Sequence, residues 1–264
     1  MDRQERIVNS VGALKSIRNL GITMEEGIAE LVDNSVDASS TRIHIHISKK
    51  ETGNFTISIA DDGVGIPDRI PGKPEVSQTI QHVLRFGGRI SHHARAYPVG
   101  RFGFGLSQTV TCLTTRSRVF SKVSGGSWRA CLYDFEDLLD HKARLPSETN
   151  EAPESDDLPP TWSIGESGTV VILDDIDKPG MKRPETLRDH LRKHLGRVYR
   201  YYMDKGLSIV VTTEKETSTD PIPIRDPIFQ IKSSAEVNTF GTQDVEGIVE
   251  IVLDGRDAKT LPET

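Results

Sequence analysis

The sequence predicts an α+β fold, because segments with helical and with strand periodicity follow one another along the chain. Residues 24–38 repeat apolar side chains at helical spacing, and one side of that helix would carry Ile28, Leu31, Val32 and Val36. "TRIHIHIS" and "FTISIA" alternate apolar and polar residues as strands do, with "KKETGN" as the turn between them. Later strands are predicted in "RSRVFSKV", "SWRACLYDF", "GTVVILDDI" and "LSIVVTT". The segment "PETLRDHLRKHLGRVYRYYMDKG" has the proline start and glycine end of a helix.

Length and composition limit the class of protein. The 264 residues, 35% hydrophobic and 27% charged, suffice for one large domain or for one domain and part of a second. A formal charge of -6 argues against wholesale wrapping of nucleic acid or adhesion to anionic membrane. Cys112 and Cys131 are too few for a disulfide framework and suit a reducing compartment. With no signal-peptide core and no long apolar stretch, we expect a cytoplasmic protein.

The chain divides by composition into an arm, a main domain and a tail. We expect an N-terminal arm over residues 1–23, a domain over 24–215, and a linker with the start of a second domain over 216–264. Residues 67–99 are rich in Gly, Pro, Ser and His around a short helical piece, "VSQTIQHVLRFGG", and predict a long mobile lid. Residues 144–161 are acidic and proline-punctuated, which predicts an exposed, disordered insertion. The end at "LPET" has no terminating signal, so a longer protein is expected.

The first candidate for chemistry is "ELVDNSVDA". Glu30 and Asn34 lie one helical turn apart, and Asp37 follows on the same polar side. A carboxylate can polarise a water molecule, and a carboxamide oxygen can hold Mg²⁺, which prefers hard oxygen ligands. A solvated polar helix face explains the same pattern. Both interpretations stay open for this stretch alone.

The second and third candidates are strand ends. Asp61 ends a strand in "ADDGVGIP", where it could accept a hydrogen bond from an exocyclic amine while Gly63 and Gly65 let a flat ring approach the backbone. A plain Asp-Gly turn explains the stretch equally well. Thr169 in "GTVVIL" could offer its hydroxyl to a polar ring edge, or simply be a β-branched strand residue.

The fourth candidate is the glycine-rich stretch "VGRFGFGLSQ", which leads into a helix. Gly100, Gly103 and Gly105 could free backbone N–H groups for an anion at the helix N-terminus, or make a tight turn. It is not a Walker phosphate loop, because Leu106 and Ser107 follow where that loop has Lys and Ser or Thr. It is also a poor match to the dinucleotide fingerprint.

The order of these four motifs resembles the ATP site of the GHKL superfamily, over roughly residues 24–212. That superfamily comprises gyrase-type topoisomerases, ninety-kilodalton heat-shock chaperones, sensor histidine kinases and MutL-type mismatch-repair proteins. "LRFGGRISHH" followed by "VGRFGFGLSQ" is most similar to the chaperone-like and Morc-like ATPases. The resemblance implies a two-layer α/β sandwich of the Bergerat type, with helices on one face of a mixed sheet and ATP held under a mobile lid.

The resemblance also implies a role for each matching residue. Glu30 would be the general base of an ATPase and Asn34 would hold Mg²⁺ against the triphosphate. Asp61 would read the adenine amino group, supported by Thr169. The other positions implied to bind ATP are Leu31, Asp37, Ala38, Gly63, Gly65, Ile66, Gly87, Gly88, Gly100, Arg101, Phe102, Gly103, Phe104, Gly105 and Leu106. ATP and Mg²⁺ are the implied cofactors.

The implied activity is Mg-dependent ATP hydrolysis that drives lid closure and ATP-dependent homodimerisation, with a DNA or protein partner bound through domains outside this chain. Several superfamily members complete the site with a later lysine, which cannot be assigned after Gly206, so slow hydrolysis is expected. A non-hydrolysing, ATP-gated assembly switch therefore stays open. A histidine kinase is disfavoured, because the residues before Met24 are too few for a dimerising phosphoacceptor helix pair.

Other polar residues are given structural or solvent roles. We expect His44 and His46 on an exposed strand face, and His92 and His93 as solvated lid residues. The late helix is basic, which could contact nucleic acid, but a solvated face is favoured by the acidic total. Its basic residues are Arg188, Arg192, Lys193, Arg197 and Arg200.

Overall fold

The computed structural model describes residues 9–69, 79–88, 103–163, 165–176, 180–216 and 218–227. Its helices are α1 (Ser10–Arg18), α2 (Met24–Asp37), α3 (Thr79–Val83), α4 (Gly105–Leu113), α5 (Phe135–Asp140), α6 (Pro184–Val198) and α7 (Arg200–Asp204). Its strands are β1 (Arg42–Lys49), β2 (Phe55–Asp61), β3 (Arg116–Lys122), β4 (Arg129–Asp134), β5 (Gly168–Ile176) and β6 (Ser208–Thr213). A 3₁₀ helix spans Ser155–Asp157.

The strands form one six-stranded sheet in the order β4-β3-β5-β2-β1-β6. The β1–β6 pair is parallel and the other neighbours are antiparallel, so the sheet is mixed. The predicted hairpin is β1 and β2, in which Ile45 lies opposite Ile59. In the β2–β5 pair, Asp61 lies opposite Thr169. The predicted α+β class with a mixed sheet is confirmed.

Helices cover one face of this sheet. On β1, Ile43, Ile45 and Ile47 are fully buried and point to the same side, as the strand period of two requires. They join one apolar cluster with residues from all seven described helices, among them Leu14, Val32, Ile80, Val110 and Leu187. Full burial of each such side chain contributes about 1.5–3 kcal/mol. This cluster fixes the position of α2 and α4, which carry the candidate site.

A capping box starts α2 at the predicted place. The Thr23 hydroxyl accepts the backbone N–H of Glu26 at 3.2 Å, and the Glu26 carboxylate accepts the backbone N–H of Thr23 at 2.8 Å. Two of the otherwise unpaired N–H groups are thereby satisfied. From this start, the helical period places Leu31 and Val32 in the core and leaves Glu30 and Asn34 exposed.

The insertion of residues 144–161 packs against the edge and second face of the sheet, so the prediction that it is disordered is wrong, whereas more than half of its residues are exposed as predicted. Thr149 and Ala130 exchange two backbone hydrogen bonds of 2.9 Å. Arg118 forms a two-pronged ion pair with Asp157 at 2.6 and 3.0 Å. Leu158 packs on outward-facing apolar side chains of the strands, which need cover from water. Composition alone could not predict these contacts, because an acidic residue that pairs with a part-buried arginine cannot be told from a solvated one by residue type.

The two strand histidines are also more buried than predicted. The Thr212 hydroxyl lies 2.9 Å from Nε2 of His44 and 2.9 Å from Nδ1 of His46. The Trp162 ring, just beyond the insertion, meets His44 edge-on at 6.3 Å. Burial lowers the pKa of His44 to about 4, so this ring is neutral at physiological pH. The prediction of an exposed face is therefore wrong for His44.

Part of the predicted 67–99 lid belongs to the core. Thr79, Ile80 and Leu84 are buried, and Ile80 and Leu84 are one helical turn apart on the side that meets the sheet. The short helical piece predicted inside the lid is therefore present as α3, but its assignment to a mobile excursion is wrong for these buried residues. His92 and His93 lie outside the described residues.

The predicted late helix is present as α6 and α7, which meet at Tyr199. Arg192 pairs with Glu216 at 3.0 Å, and Arg188 pairs with the same carboxylate. Arg200 pairs with the buried Asp226 at 3.3 Å. The prediction of a solvated face is therefore wrong for Arg188, Arg192 and Arg200, which are part-buried and ion-paired, and confirmed for the exposed Lys193 and Arg197. Over the described residues, no helix combines the length and apolarity that crossing a membrane requires.

Candidate functional site

The central contact of the candidate site joins α2 to the N-terminus of α4. A Cβ atom built on Gly105 would collide with the carboxylate of Glu30. The two helices also touch below this point, where the Thr109 hydroxyl donates to the carbonyl of Gly27 at 3.2 Å. Gly27 and Gly105 both allow this close approach, because a side chain at either would meet the other helix. A carboxylate is therefore held at the start of a helix whose first turn has no side-chain cap.

The polar side of α2 matches the sequence prediction. Glu30 and Asn34 are exposed one turn apart, and Asp37 is half-buried. Ala38 ends the helix, and its carbonyl accepts the N–H of Val64 at 3.0 Å. Leu31, predicted to line the adenine side, is 3% exposed within the main cluster. The exposed pair is thus open to a ligand, while Leu31 supports the helix from beneath.

Asp61 ends β2 as a buried acceptor. Its Oδ2 accepts the Ser35 hydroxyl at 3.0 Å, and its Oδ1 accepts the Ser40 hydroxyl at 3.2 Å and the Gly63 N–H at 2.9 Å. Burial raises the pKa of Asp61, and these three donors act in the opposite direction. A carboxylate has about four acceptor positions. One position on Oδ2 is therefore left for a further donor such as an amine.

Thr169 lies beside Asp61 on the neighbouring strand. It lies opposite Asp61 in the β2–β5 pair, and its hydroxyl is 3.0 Å from the hydroxyl of Ser121. Ser121 in turn accepts the backbone N–H of Ile66 at 2.8 Å. Gly65 has a φ of +74° and lies so close to the carbonyl of Lys122 that a side chain would not fit. These contacts hold the loop after Asp61 against β3.

The glycine-rich entrance is held by residues 86–88. The Gly87 N–H donates to the Gly103 carbonyl at 3.0 Å, and the rings of Phe86 and Phe104 are 6.0 Å apart. Gly103 has a φ of +68°, and a Cβ there would lie 2.8 Å from the carbonyl oxygen of Gly88. Two of the predicted glycine segments therefore meet at one point. Gly100, Arg101 and Phe102 lie outside the described residues.

The remaining predicted positions lie next to these contacts. Gly63 would clash with Ala38 and Ser40 if it carried a side chain, so the turn after Asp61 touches the end of α2. Leu106 packs on the main cluster, while Phe104 is 46% exposed beside the entrance.

Serines complete the site, and sequence reasoning missed them. Ser35 and Ser40 both hold Asp61, and Ser121 joins Thr169 to Ile66. Ser35 had a detectable signal, because it falls on the apolar side of α2 where a polar residue needs a partner. Ser40 and Ser121 gave no such signal.

Asp33 was also missed, although it lies inside the quoted motif. The Tyr199 hydroxyl donates to Asp33 Oδ1 at 2.6 Å and lies 2.7 Å from the Ala29 carbonyl. Burial raises the pKa of Asp33 to about 6, and the charges of Glu30 and Asp37 act in the same direction. The Tyr199 hydrogen bond opposes this shift. A tyrosine at the end of α6 is thus bound to the helix that carries Glu30.

The site as a whole suits an elongated ligand with an anionic end and a polar ring. Glu30 and the uncapped turn of α4 lie at one end, and Asp61 with Thr169 lies at the other. Ser35, which touches Asp61, is five residues beyond Glu30, or about 7.5 Å along the helix axis. Among the described residues, no three or more His, Cys, Asp and Glu side chains are grouped to hold a metal ion.

This fold and site define a nucleotide-binding class of protein, and comparison with known proteins identifies it. A family model described as "Histidine kinase-, DNA gyrase B-, and HSP90-like ATPase" matches residues 22–161, more than half of the chain. The chain belongs to this family. The predicted GHKL resemblance is therefore confirmed.

Individual proteins also resemble this chain over part of their length. The chain is 33% identical over 81 residues to "ATPase MORC2B" of Mus musculus, covering 30% of this chain and 7% of the relative. It is 34% identical over 104 residues to the DNA gyrase B protein of Streptococcus pyogenes serotype M3, covering 37% and 16%. It is 25% identical over 199 residues to the DNA gyrase B protein of Clostridium acetobutylicum, covering 73% and 27%. The chain thus spans less than a third of each relative.

Proposed function

We propose that this chain binds Mg-ATP and hydrolyses it to ADP and phosphate. The observation that carries the proposal is the contact between the Glu30 carboxylate and Gly105 at the start of α4. Backbone N–H groups at a helix N-terminus attract phosphate, and an adjacent carboxylate can activate water. The family match supports the same activity.

In the proposed reaction, Glu30 accepts a proton from a water molecule as the water oxygen attacks the γ-phosphorus. The bond from the γ-phosphorus to the bridging β-phosphate oxygen breaks, ADP leaves with that electron pair, and Glu30 later returns the proton to solvent. Backbone N–H groups of Gly105 and Leu106 would stabilise charge on the phosphate oxygens. This assignment needs mainly positioning, which the α2–α4 contact supports.

Asn34 is the residue that would hold Mg²⁺. Its carboxamide is exposed one turn beyond Glu30, and Mg²⁺ takes most of its remaining ligands from phosphates and water. When bound, the ion neutralises charge on the triphosphate. Since one carboxamide supplies a single ligand, we expect the ion to arrive together with the nucleotide.

At the other end, Asp61 would accept the adenine amino group through its remaining acceptor position. Gly63 and Gly65 would present their backbone to the ring, since the positions of their missing side chains are taken by Ala38, Ser40 and the Lys122 carbonyl, and Ile66 would pack beside it. Thr169 would support the ring edge through the hydroxyl that also meets Ser121.

We further propose that ATP closes the lid and favours a homodimer in the cytoplasm. The hydrogen bond between Gly87 and Gly103 joins the two ends of the segment between these residues beside the first turn of α4, where the phosphates would bind. A DNA or protein partner bound through regions outside this chain stays a prediction.

Glu30→Gln tests the proposal, since it keeps the side-chain shape and removes the base. We expect Mg-ATP binding by calorimetry to be retained and phosphate release to fall by about 100-fold or more. Glu51→Gln, in the exposed β1–β2 turn, is the matched control and should behave as wild type. Normal turnover in Glu30→Gln would overturn the assigned mechanism. Failure of the wild type to bind ATP would overturn the function itself.

A further inference from the structure

Arg129, the first residue of β4, connects three separate parts of the chain. Its Nη2 donates to the Ile66 carbonyl at 2.6 Å, and its Nη1 donates to the Thr79 hydroxyl at 2.8 Å. The same Nη1 reaches Glu148 Oε2 at 3.0 Å, and Nε lies 3.1 Å from the Asp68 carboxylate. One guanidinium thus contacts the loop after Asp61, the first residue of α3 and the insertion.

Glu148 completes the connection from the other side. While Oε2 binds Arg129, Oε1 accepts the backbone N–H groups of Ile80 at 2.6 Å and Gln81 at 3.2 Å. The Gln81 side chain returns to the insertion, donating to the carbonyls of Leu145 and Pro146 at 3.0 and 2.8 Å. The start of α3 is therefore bound to the insertion by both main-chain and side-chain contacts.

The pair is well shielded from water. Only 13% of the Arg129 side chain and 8% of the Glu148 side chain are exposed. Burial of this degree weakens screening and raises the cost of removing one partner, because the other charge is left unpaired. The geometry at this point is therefore held more firmly than a surface ion pair would hold it.

The contacts of Arg129 also reach the loop after Asp61, where adenine is proposed to bind. Arg129 fixes the carbonyl of Ile66, and the N–H of the same residue is fixed by Ser121, which meets Thr169. Both polar backbone groups of Ile66 are thus specified by side chains of the β3–β4 hairpin. A change at Arg129 would be transmitted to the loop that carries Gly65 and Ile66.

We propose that Arg129 and Glu148 form a positioning pair for nucleotide binding, which keeps the Gly65–Ile66 loop and the start of α3 in one fixed arrangement. This inference rests on the proposed ATP site and adds a role for the insertion. The pair touches no reacting atom, so its loss affects the binding of ATP far more than the chemical step. The insertion is thereby part of the nucleotide site, although it covers the sheet from the edge and the opposite face.

The test compares two ion pairs made by the same insertion, of which the Arg118–Asp157 pair is the more exposed. Arg129→Met and Glu148→Gln remove the proposed positioning pair, whereas Arg118→Met removes the pair with Asp157, which contacts no residue of the site loop. The dissociation constant of a non-hydrolysable ATP analogue is measured by calorimetry, together with KM and kcat for ATP. Amide hydrogen exchange at Ile80 and Gln81 reports the α3 connection in nucleotide-free protein.

For Arg129→Met and Glu148→Gln, we expect the dissociation constant and KM to rise about tenfold with kcat within about twofold of wild type. Exchange at Ile80 and Gln81 should accelerate. Arg118→Met should lower the melting temperature without changing either nucleotide constant. Glu148→Gln keeps the side-chain volume, so it can be used for the test if Arg129→Met does not fold.

Two results would overturn the inference. If wild type binds the analogue and both site variants bind it equally well, the pair is structural only. An equal loss of affinity in Arg118→Met would mean that general destabilisation causes the effect. If the wild type itself fails to bind, the proposed function falls and this inference falls with it, whereas the first two results leave the proposed function intact.

Discussion

The hydroxyl of Tyr199 donates a 2.6 Å hydrogen bond to Asp33, the residue immediately before the candidate Mg²⁺ ligand Asn34. Tyr199 comes from the junction of α6 and α7 and is 2% exposed. Its hydrogen has two acceptors within reach, Asp33 and the Ala29 carbonyl. The helix with the proposed catalytic residue is thus fixed from its buried side by a distant tyrosine.

Tyr199→Phe should destabilise the protein in a pH-dependent way. The hydroxyl lowers the pKa of Asp33, so its removal should raise that pKa above the wild-type value of about 6. A carboxyl whose folded pKa exceeds its ordinary value of 3.8 loses stability as pH rises through the folded pKa. The variant should therefore be less stable by about 1.5–3 kcal/mol above its own raised Asp33 pKa. The difference should shrink as the pH falls from that value to about 6, the wild-type pKa, and stay constant at lower pH.

Urea unfolding across this pH range measures the difference. Tyr201→Phe, at an exposed ring in α7, is the matched control and should show no such dependence. A constant difference between Tyr199→Phe and wild type at every pH would contradict the assignment of the hydrogen bond to ionised Asp33.

Gly105→Ala should separate stability from activity. The added methyl group would meet the end of the flexible Glu30 side chain, which can swing away without unfolding either helix. Alanine favours a helix by about 0.5–1 kcal/mol, so stability should hold or rise. Displacement of the base should lower kcat by about 10- to 100-fold. Gly12→Ala in α1, where a Cβ has only ordinary contacts, should leave kcat unchanged. Equal kcat values for both variants would argue against Glu30 as the base.

Local signals account for what the sequence predicted well. The apolar period of α2 and the alternation in β1 and β2 are set by neighbours within a few residues. The same period places Glu30 and Asn34 on the exposed side of the helix. The contact of Gly105 with Glu30 could be expected only through the family resemblance, because it joins two helices far apart in the chain.

Long-range contacts account for what the sequence could not predict. Arg129 meets Glu148 and Ile66 through strand pairing that no local pattern encodes, and Tyr199 meets Asp33 across 166 residues. The insertion looked disordered because composition counts acidic residues without showing that Asp157 would pair with Arg118. Whether an acidic residue such as Asp157 is buried or solvated depends on a partner that is distant in the sequence.

Asp61→Asn should weaken ATP binding and reduce discrimination between ATP and GTP. An amide has one acceptor oxygen, so it cannot accept Ser35, Ser40, Gly63 and an adenine amine together. We expect ATP affinity to fall about 10- to 100-fold by calorimetry. Asp62→Asn is the control, because Asp62 accepts three hydrogen bonds from Thr41 and Arg42 and shares no donor with Asp61. If Asp62→Asn lost as much affinity, the loss would reflect loop stability rather than adenine recognition.

Gly103→Val should abolish ATP binding while the fold is retained. Gly103 has a φ of +68°, which a β-branched residue adopts only with strain of about 1–3 kcal/mol. Its side chain would also push against the Gly88 carbonyl, and so separate the two glycine segments that meet beside the first turn of α4. Circular dichroism should show native secondary structure, and calorimetry should show no binding of Mg-ATP.

Gly53→Val separates backbone strain from the contact with Gly88. Gly53 also has a positive φ, +92°, but a Cβ there would have open space around it. Both valines strain the backbone, yet only the one at position 103 moves the phosphate end of the proposed site. We therefore expect Gly53→Val to bind ATP as wild type does. Normal binding by Gly103→Val would leave the glycine-rich stretch as a tight turn before a helix and remove it from the proposed phosphate site.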